Sequence, residues 1–257
     1  MVFSSLTFLL YFLPITLLVY FLLSFSTALQ NVWLLIVSLV FYAWGEPSYI
    51  IILIASIVMN YLLGLCIGFF QDRNTRLTKF VLFITITFNL GILFVFKYMG
   101  FFVDTFNGIA GRELIRVPQL ALPIGISFFT FQAMSYVIDV YRKDAEVQKN
   151  PLYMGLYIAF FPQLVAGPIV RYNTIESYIR NRKFDSEQVT GGIMRFAVGM
   201  SKKVLISNNL AVLADKIYDL ASTGAKLYDV PVVMAWIGAV AYMLPIDYLR
   251  IKCCSYL

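Results

Sequence analysis

The sequence contains no histidine and very few charged residues. Of its 257 residues, 60% are hydrophobic and 13% are charged, whereas soluble domains are about 25% charged. In the first 70 residues the only charged side chain is Glu46. Long apolar runs with so little charge exclude an ordinary soluble domain and indicate an integral membrane protein. The lack of histidine also removes the usual general base for chemistry near neutral pH.

Cysteine is scarce, and the motifs of several enzyme classes are absent. Cys66 lies in an apolar run, and Cys253 and Cys254 are adjacent, so neither a metal site nor a disulfide framework is predicted. The sequence has no Walker loop, hydrolase elbow or dinucleotide fingerprint. The net charge of +6 comes from basic residues in short gaps between apolar runs, which is typical of cytoplasmic loops. Nucleic acid is therefore not expected as a partner.

Four apolar runs in the first half of the chain have the length of membrane-spanning helices. They cover residues 6–25, 29–44, 49–70 and 80–103. Three basic residues in "QDRNTRLTK" (71–79) predict a cytoplasmic loop, which places the N-terminus outside. The many aromatic side chains are expected to face lipid or the membrane interfaces.

The second half of the chain adds an interfacial helix and one more span. Apolar residues at helical spacing over 191–220, with Lys202 and Lys203 between them, predict an amphipathic helix whose lysines meet anionic headgroups. Another span begins at 230–244. There is no internal repeat or linker, so the sequence indicates one polytopic unit.

Two apolar segments carry residues that a plain membrane helix does not need. They are "LPIGISFFTFQAMSYVIDVYRKD" (122–144) and "FFPQLVAGPIVRY" (160–172). Irregular backbone at membrane depth is tolerated only where protein or water satisfies its polar groups. Both segments are therefore predicted to line an internal cavity or a re-entrant pit, with Gln132, Asp139 and Gln163 facing it. Simple helix packing explains the same residues equally well, since a glutamine can bond a neighbouring backbone carbonyl.

Three residues are the candidates for a cavity or substrate tunnel, and none is a candidate catalytic residue. They are Gln132, Gln163 and Arg171. Arg171 follows the Gly-Pro break and could bind a phosphate or carboxylate, although a cytoplasmic anchor is equally compatible. Asp139, close to Arg142 in the sequence, favours a membrane boundary over a site.

Several long blocks of the sequence resemble the membrane-bound O-acyltransferases of the alginate O-acetyltransferase type. They are "MVFSSLTFLLYFLPITLLVYF", "LLIVSLVFYAWGEPSYI", "FKYMGFF", "LPIGISFFTFQAMSYVIDVYR" and "FFPQLVAGPIVRY". The blocks occur in family order and cover residues 1–242. The resemblance implies an all-α polytopic integral membrane protein, in which tilted helices and re-entrant or broken segments surround a thinned centre.

The resemblance also implies an activity. Such an enzyme takes an acyl group from a cytoplasmic donor, such as acetyl-CoA or an acyl carrier. It passes the group to hydroxyls of an exported polysaccharide, such as alginate or another cell-envelope glycan. The implied partners are membrane lipid, the polysaccharide acceptor and an extracytoplasmic acyltransferase protein. The implied location is the bacterial cytoplasmic membrane, with multiple spans.

The match to the family ends after "GAVAY" (238–242). The family's two funnels meet at a histidine in its later half, and this sequence has none. Residues 243–257 depart from the family pattern and are expected to be an aberrant tail. We therefore expect an incomplete, N-terminal half of a single membrane domain (1–242), without acyl transfer of its own. The alternatives are an inactive membrane fragment or scaffold, or a small transporter; the lack of a second copy of 160–172 disfavours the transporter.

Overall fold

The computed structural model describes residues 5–112, 114–116, 121–164, 170–180, 182, 185–222 and 232–248. Across these residues the regular structure is helical, without a strand, which confirms the predicted all-α class. The helices in chain order are α1 (Phe8–Leu22), α2 (Thr27–Gly45), α3 (Ile50–Phe70), α4 (Thr75–Ala110), α5 (Ile126–Arg142), α6 (Pro151–Ala159), α7 (Phe161–Leu164), α8 (Tyr172–Arg180), α9 (186–222) and α10 (Val232–Tyr248).

Three helices, α2, α3 and α4, are long and apolar enough to cross a membrane. The predicted spans 29–44 and 49–70 are thereby confirmed. The first predicted span is shorter than expected, because α1 ends at Leu22 and a turn occupies 23–25. A π-helical turn (Phe8–Phe12) precedes Pro14, which lies in the first turn of the α-helical part. Because the helix already runs from Phe8, Pro14 lies inside it and has no N–H to donate, and the π-helical turn directly before it shows that the regular hydrogen bonding is interrupted there.

Helix α4 is much longer than the predicted span 80–103. The Asn74 side chain accepts hydrogen bonds from the backbone N–H groups of Arg76 (3.0 Å) and Leu77 (3.2 Å), which starts the helix inside the predicted loop. The helix ends before Gly111, whose φ of 66° is the left-handed conformation that glycine adopts at helix ends. Its 36 residues make it about 54 Å long. Helix α4 therefore exceeds the roughly 30 Å hydrocarbon core.

Helix α5 corrects the expectation that segment 122–144 has irregular backbone at membrane depth. Its 17 residues form a regular helix, and the irregular backbone is confined to its ends, where Gly125 (φ 75°) and Lys143 (φ 65°) are left-handed. The interior of α5 contains neither proline nor glycine, and polar side chains by themselves leave the backbone hydrogen bonds intact. The prolines and glycine of this segment mark the entry to a helix.

The second predicted break is present where the structure describes it. Helix α6 ends at Ala159, Phe160 has a non-helical ψ of 112°, and the chain restarts as the single turn α7. Pro162 accounts for the break between α6 and α7, because a proline inside a continuous helix would clash with the carbonyl four residues earlier. Residues 165–169 lie outside the described part of the chain.

Contacts divide the chain into two compact units. The first comprises residues 12–182, and its core lies where α5 packs against α3 and α4, and α6 against α2 and α3. The second comprises 2–11 and 183–257. In it α9 packs along α10, with the rings of Tyr218 and Tyr242 in edge contact at 6.2 Å. The predicted division at 242/243 stays a prediction; α10 runs through that point, and 249–257 lie outside the described residues.

Helix α9 confirms that 191–220 is helical, and the interfacial location of this helix stays a prediction. It begins five residues earlier than expected, because the Asp185 side chain accepts a hydrogen bond from the backbone N–H of Glu187 (3.0 Å). One side of the helix buries Met200, Ala214 and Ile217. A π-helical turn (Lys203–Ser207) interrupts its α-helical hydrogen bonding midway.

Small residues allow the close packing of α3. An added Cβ at Gly64 would lie 2.8 Å from Cε1 of Tyr136, and one at Gly68 would lie 2.3 Å from Cγ2 of Val147. Both distances are shorter than carbon atoms tolerate. The pair of glycines in "GLCIG" therefore brings α3 against α5 and the segment after it, as small residues do in membrane helices.

Candidate functional site

Buried polar side chains of the first unit converge between α5, α6 and α8. We call Gln132, Tyr136, Gln148, Tyr157 and Tyr172 the tyrosine cluster; all five are at most 3% exposed. Gln132 begins it by donating a hydrogen bond from Nε2 to the backbone carbonyl of Tyr157 at 2.6 Å. This bond ties the middle of α5 to α6 in the way that the packing alternative expected of a glutamine.

Gln148 connects three parts of the cluster. Its backbone N–H donates to the Tyr136 hydroxyl at 2.9 Å, and its side-chain Nε2 donates to the Tyr172 hydroxyl. Its Oε1 accepts from the backbone N–H of Asn150 (2.8 Å), the residue that caps α6. One glutamine thus fixes the extended segment after α5 against α5 itself, the start of α6 and the start of α8.

The three tyrosine rings pack edge to face around Tyr172. Its ring centroid lies 5.1 Å from that of Tyr136 and 5.2 Å from that of Tyr157, an arrangement that aromatic pairs prefer. The Tyr157 hydroxyl donates to the carbonyl of Val170 at 2.9 Å. Burial raises the pKa of Tyr172 to about 12, so its hydroxyl keeps its proton at neutral pH. The hydrogen bonds and ring contacts of the cluster hold the chain that enters α8.

Asp139 lies on the same helix as the cluster and has an unsatisfied oxygen. The residue is 5% exposed, and within the described part of the chain its Oδ2 has no hydrogen-bond partner. The cations that follow it are engaged elsewhere: Arg142 contacts Asp144 at 3.3 Å and Lys143 contacts Asp72 at 2.8 Å. These ion pairs are exposed, as expected at a membrane boundary, but Asp139 itself is buried.

Each predicted site residue has a different environment. Gln132 belongs to the tyrosine cluster. Gln163 lies in α7, 3% exposed, and its Nε2 has no partner among the described residues. Arg171 directly precedes α8 and is exposed. The structure brings Gln132 together with Tyr157, whereas no hydrogen bond joins Gln132, Gln163 and Arg171 across the described residues. Their role as cavity or tunnel residues stays a prediction.

The four other members of the tyrosine cluster are not among the residues predicted from the sequence. The expectation that aromatic residues face lipid or the interfaces is wrong for Tyr136, Tyr157 and Tyr172, since each is at most 1% exposed. A signal was present, because Gln132, Tyr136 and Asp139 follow one another at i, i+4 and i+7 and so share one face of α5. Gln148 gives no such signal, since it lies in an extended segment.

Comparison with known proteins shows which family this chain resembles. Residues 39–256 match the model of the membrane-bound O-acyltransferase family. The chain is 38% identical over 247 residues to the probable alginate O-acetylase AlgI of Pseudomonas aeruginosa and 37% identical to that of Pseudomonas syringae. It is 29% identical over 272 residues to the peptidoglycan O-acetyltransferase of Helicobacter pylori. No solved structure matches the chain.

The alignments cover nearly all of this chain but only about half of each relative. Each alignment covers 94% of this chain but 45% of the two Pseudomonas relatives and 50% of the Helicobacter relative. The chain therefore spans about half the length of the curated relatives that it matches. The family match covers most of the chain, including the helices that carry the tyrosine cluster. This chain, a multi-pass membrane protein, belongs to the membrane-bound O-acyltransferase family.

Proposed function

We propose that this chain forms part of a membrane O-acetyltransferase that acetylates hydroxyl groups of an exported polysaccharide. The observation that carries the proposal is the family match over residues 39–256. The relatives are named for alginate and peptidoglycan, respectively. What they share is transfer of an acetyl group to a glycan hydroxyl, so the proposal names a cell-envelope polysaccharide and leaves the choice of glycan open.

The chemistry of acyl transfer limits which part of the reaction these 257 residues can carry out. A sugar hydroxyl attacks the carbonyl of an acyl thioester, the hydroxyl proton is removed, and the thiol leaves. A general base for this step needs a pKa near the working pH, which histidine usually supplies. The sequence has no histidine. In the proposed reaction the base therefore comes from outside these residues, which contribute membrane spans and part of the wall of the site.

Gln163 and Asp139 are proposed to lie along the path of the substrates. Each is buried, with one polar atom that has no partner among the described residues, and such an atom costs stability unless a ligand, water or another residue satisfies it. The Gln163 amide can donate to a carbonyl oxygen, and the Asp139 carboxylate can accept from an amide or hydroxyl. Arg171, exposed beside Val170, is proposed to bind a phosphate of the cytoplasmic donor, acetyl-CoA or an acyl carrier.

Gln132 is proposed to act as a positioning residue. Its bond to Tyr157 (2.6 Å) and the bond from Tyr157 to Val170 (2.9 Å) connect α5 to the residue before Arg171. The tyrosine cluster would thereby fix the end of the "FFPQLVAGPIVRY" segment. We also propose that the complete enzyme works in the bacterial cytoplasmic membrane with an extracytoplasmic partner that completes transfer to the polymer.

The experiment that tests the proposed function uses a chimera. A Pseudomonas aeruginosa strain lacking its own O-acetylase relative would express either this chain alone or this chain joined to the part of that relative that it does not cover. We expect acetyl esters on the exported alginate from the chimera and none from the chain alone. The measurement is the acetyl content of the polymer, with membrane insertion of each protein checked by immunoblotting.

The relative's own two portions, joined at the same point, are the matched control. A chimera that is present in the membrane but transfers no acetyl, while this control does, would argue against the proposed function. Acetylation by the chain alone would instead contradict the proposal that the base lies outside residues 1–257. Arg171→Gln in the chimera should raise the donor concentration needed for half-maximal transfer in isolated membranes.

A further inference from the structure

Ser38 of helix α2 is hydrogen-bonded to the break between α6 and α7. The residue is fully buried. Its hydroxyl donates to the Leu34 carbonyl of its own helix at 2.6 Å and accepts from the backbone N–H of Phe161 at 3.2 Å. Phe161 is the first residue of α7, and the first N–H groups of a helix have no acceptor within that helix. The serine supplies the acceptor from another helix.

Further contacts hold α7 against α2 and close its single turn. The ring of Phe161 packs against the rings of Phe12 and Phe41, with centroids 5.5 and 5.6 Å away. The backbone N–H of Gln163 donates to the Phe160 carbonyl at 2.9 Å. Gln163 therefore lies in a closed turn, two residues after the residue that is attached to α2.

The attachment lies about halfway along the membrane-spanning helix α2. Asn31, near the start of α2, donates to the Ile179 carbonyl of α8 at 2.9 Å. Counted from Thr27, Ser38 is about 16 Å further along the helix axis, which is about half of the roughly 30 Å hydrocarbon core. Since bulk water is absent at this depth, a backbone N–H that the break exposes needs a protein acceptor.

We propose that Ser38 is a positioning residue: by holding the break between α6 and α7, it places the Gln163 amide to donate to the carbonyl oxygen of the acyl donor during transfer. Gln163 is 3% exposed, and its Nε2 has no hydrogen-bond partner in the ranges that the structure describes. The inference rests on the proposed function for the identity of the reaction.

The reaction explains why the position of this amide matters. The sugar hydroxyl oxygen bonds to the acyl carbon, the carbonyl oxygen takes up the negative charge, and the thiolate leaves as the carbonyl reforms. An N–H donor that is already in place stabilises this charge more than it stabilises the neutral carbonyl of the bound donor. Displacement of Gln163 should therefore lower the maximal rate and leave donor binding unchanged.

The first test uses the full chain in mild detergent and does not depend on acyl transfer. Ser38→Ala removes the acceptor of the Phe161 N–H, so hydrogen exchange of that amide should become about fivefold faster, the scale of one net hydrogen bond. The measurement is hydrogen–deuterium exchange with mass spectrometry of the fragmented peptide.

Thr85→Val is the matched control for this test. Thr85 is also fully buried, and its hydroxyl donates one turn back to the Val81 carbonyl at 2.9 Å, but it bonds no other helix in the described part of the chain. This variant should leave the exchange of the Phe161 amide unchanged. Unchanged exchange in Ser38→Ala would overturn the proposal.

The second test uses the chimera described above, in isolated membranes titrated with acetyl-CoA. Ser38→Ala should lower the maximal rate of acetyl transfer about tenfold, because a small displacement of a catalytic donor costs on that scale. The acetyl-CoA concentration for half-maximal rate should stay the same. Thr85→Val should change neither quantity. Rates are divided by the amount of chimera in the membrane.

The decisive comparison is Ser38→Ala in a chimera that already carries Gln163→Leu. If Ser38 acts through Gln163, the second substitution should lower the maximal rate no further. An equal loss in both backgrounds would overturn the proposal, since Ser38 would then have only a general structural role. A rise in the half-maximal acetyl-CoA concentration alone would overturn it as well.

Failure of the proposed function has a different signature. An unsubstituted chimera that transfers no acetyl, while the rejoined relative does, contradicts the proposed function. The exchange of the Phe161 amide still decides whether Ser38 holds the break.

Discussion

Two sets of buried polar side chains in the first unit differ in whether their atoms have partners. In α3 and α4, Asn60 and Asn89 exchange side-chain hydrogen bonds at 2.8 and 3.2 Å, and each amide also donates to a carbonyl one turn earlier in its own helix. In α5 and α7, Asp139 and Gln163 are also buried, but each leaves one polar atom without a partner in the described structure.

This difference in hydrogen bonding assigns the asparagine pair to packing and makes Asp139 and Gln163 the candidates for a site. A polar group inside a membrane domain is costly unless it is hydrogen-bonded. The asparagine pair meets this condition within the fold, so it needs no ligand to explain it. Asp139 and Gln163 each have one polar atom without a partner among the described residues, and buried groups of this kind need a ligand, water or another residue to satisfy them. Their role in a site stays a proposal.

The largest predicted effect comes from breaking the asparagine pair. Asn89→Leu leaves the Asn60 amide without its cross-helix partner, and we expect a loss of about 2 kcal/mol in the free energy of unfolding. The double substitution Asn60→Leu with Asn89→Leu removes both polar groups and should be less destabilising than the sum of the singles. Denaturation in mixed detergent measures all of these. Thr87→Leu, at an exposed position of α4, is the control. If the effects of the two single substitutions simply add in the double variant, the two asparagines do not stabilise each other.

A smaller effect is expected where α3 approaches the tyrosine cluster. Gly64→Ala places a Cβ 2.8 Å from the ring of Tyr136, a ring whose hydroxyl accepts a hydrogen bond from Gln148. Overpacking at such a site should cost about 1–2 kcal/mol. Gly91→Ala, where an added Cβ meets nothing within 4 Å, should keep or raise the melting temperature. Equal melting temperatures for the two variants would show that the Tyr136 ring shifts to make room for the added methyl group at little cost in stability.

Gln132 and Gln163 allow a comparison between two buried glutamines, one with a hydrogen-bonded Nε2 and one whose Nε2 has no described partner. Gln132→Leu loses the bond to the Tyr157 carbonyl and should destabilise the chain by about 1 kcal/mol. Gln163→Leu removes an amide nitrogen that has no partner in the described part of the chain, so stability should stay the same or rise. In the chimera described above, Gln163→Leu should nonetheless reduce acetylation. A Gln163 variant that is both less stable and fully active would assign Gln163 to packing.

The smallest effect concerns alkaline pH. Burial raises the pKa of Tyr172 from its ordinary value of 10.0 to about 12, so the folded chain holds this proton when the unfolded chain has released it. The stabilisation is complete below pH 10 and is lost as the pH rises toward about 12. Tyr172→Phe should flatten this part of the curve of melting temperature against pH. An unchanged slope would show that other groups cause the alkaline loss.

The sequence predicted more of the fold than of the site. Spans 29–44 and 49–70 agree with α2 and α3 because a continuous apolar run of that length has no stable place other than the membrane. The limits of α4 were missed because Asn74 was assigned to a loop, although asparagine is also a strong helix cap. The break at Phe160 was predicted from Pro162, but α5 proved regular because the proline and glycine of its segment precede the helix.

The sequence by itself determined that this chain is an all-helical, multi-pass membrane protein of the O-acyltransferase family, since length of apolar runs and long sequence blocks are local properties. Only the tertiary structure decided which buried polar atoms have partners. Gln132 and Gln163 look alike in the sequence, yet Gln132 bonds the Tyr157 carbonyl, whereas Nε2 of Gln163 has no partner among the residues that the structure describes. A hydrogen bond depends on where another segment places its acceptor, and Tyr157 lies 25 residues from Gln132.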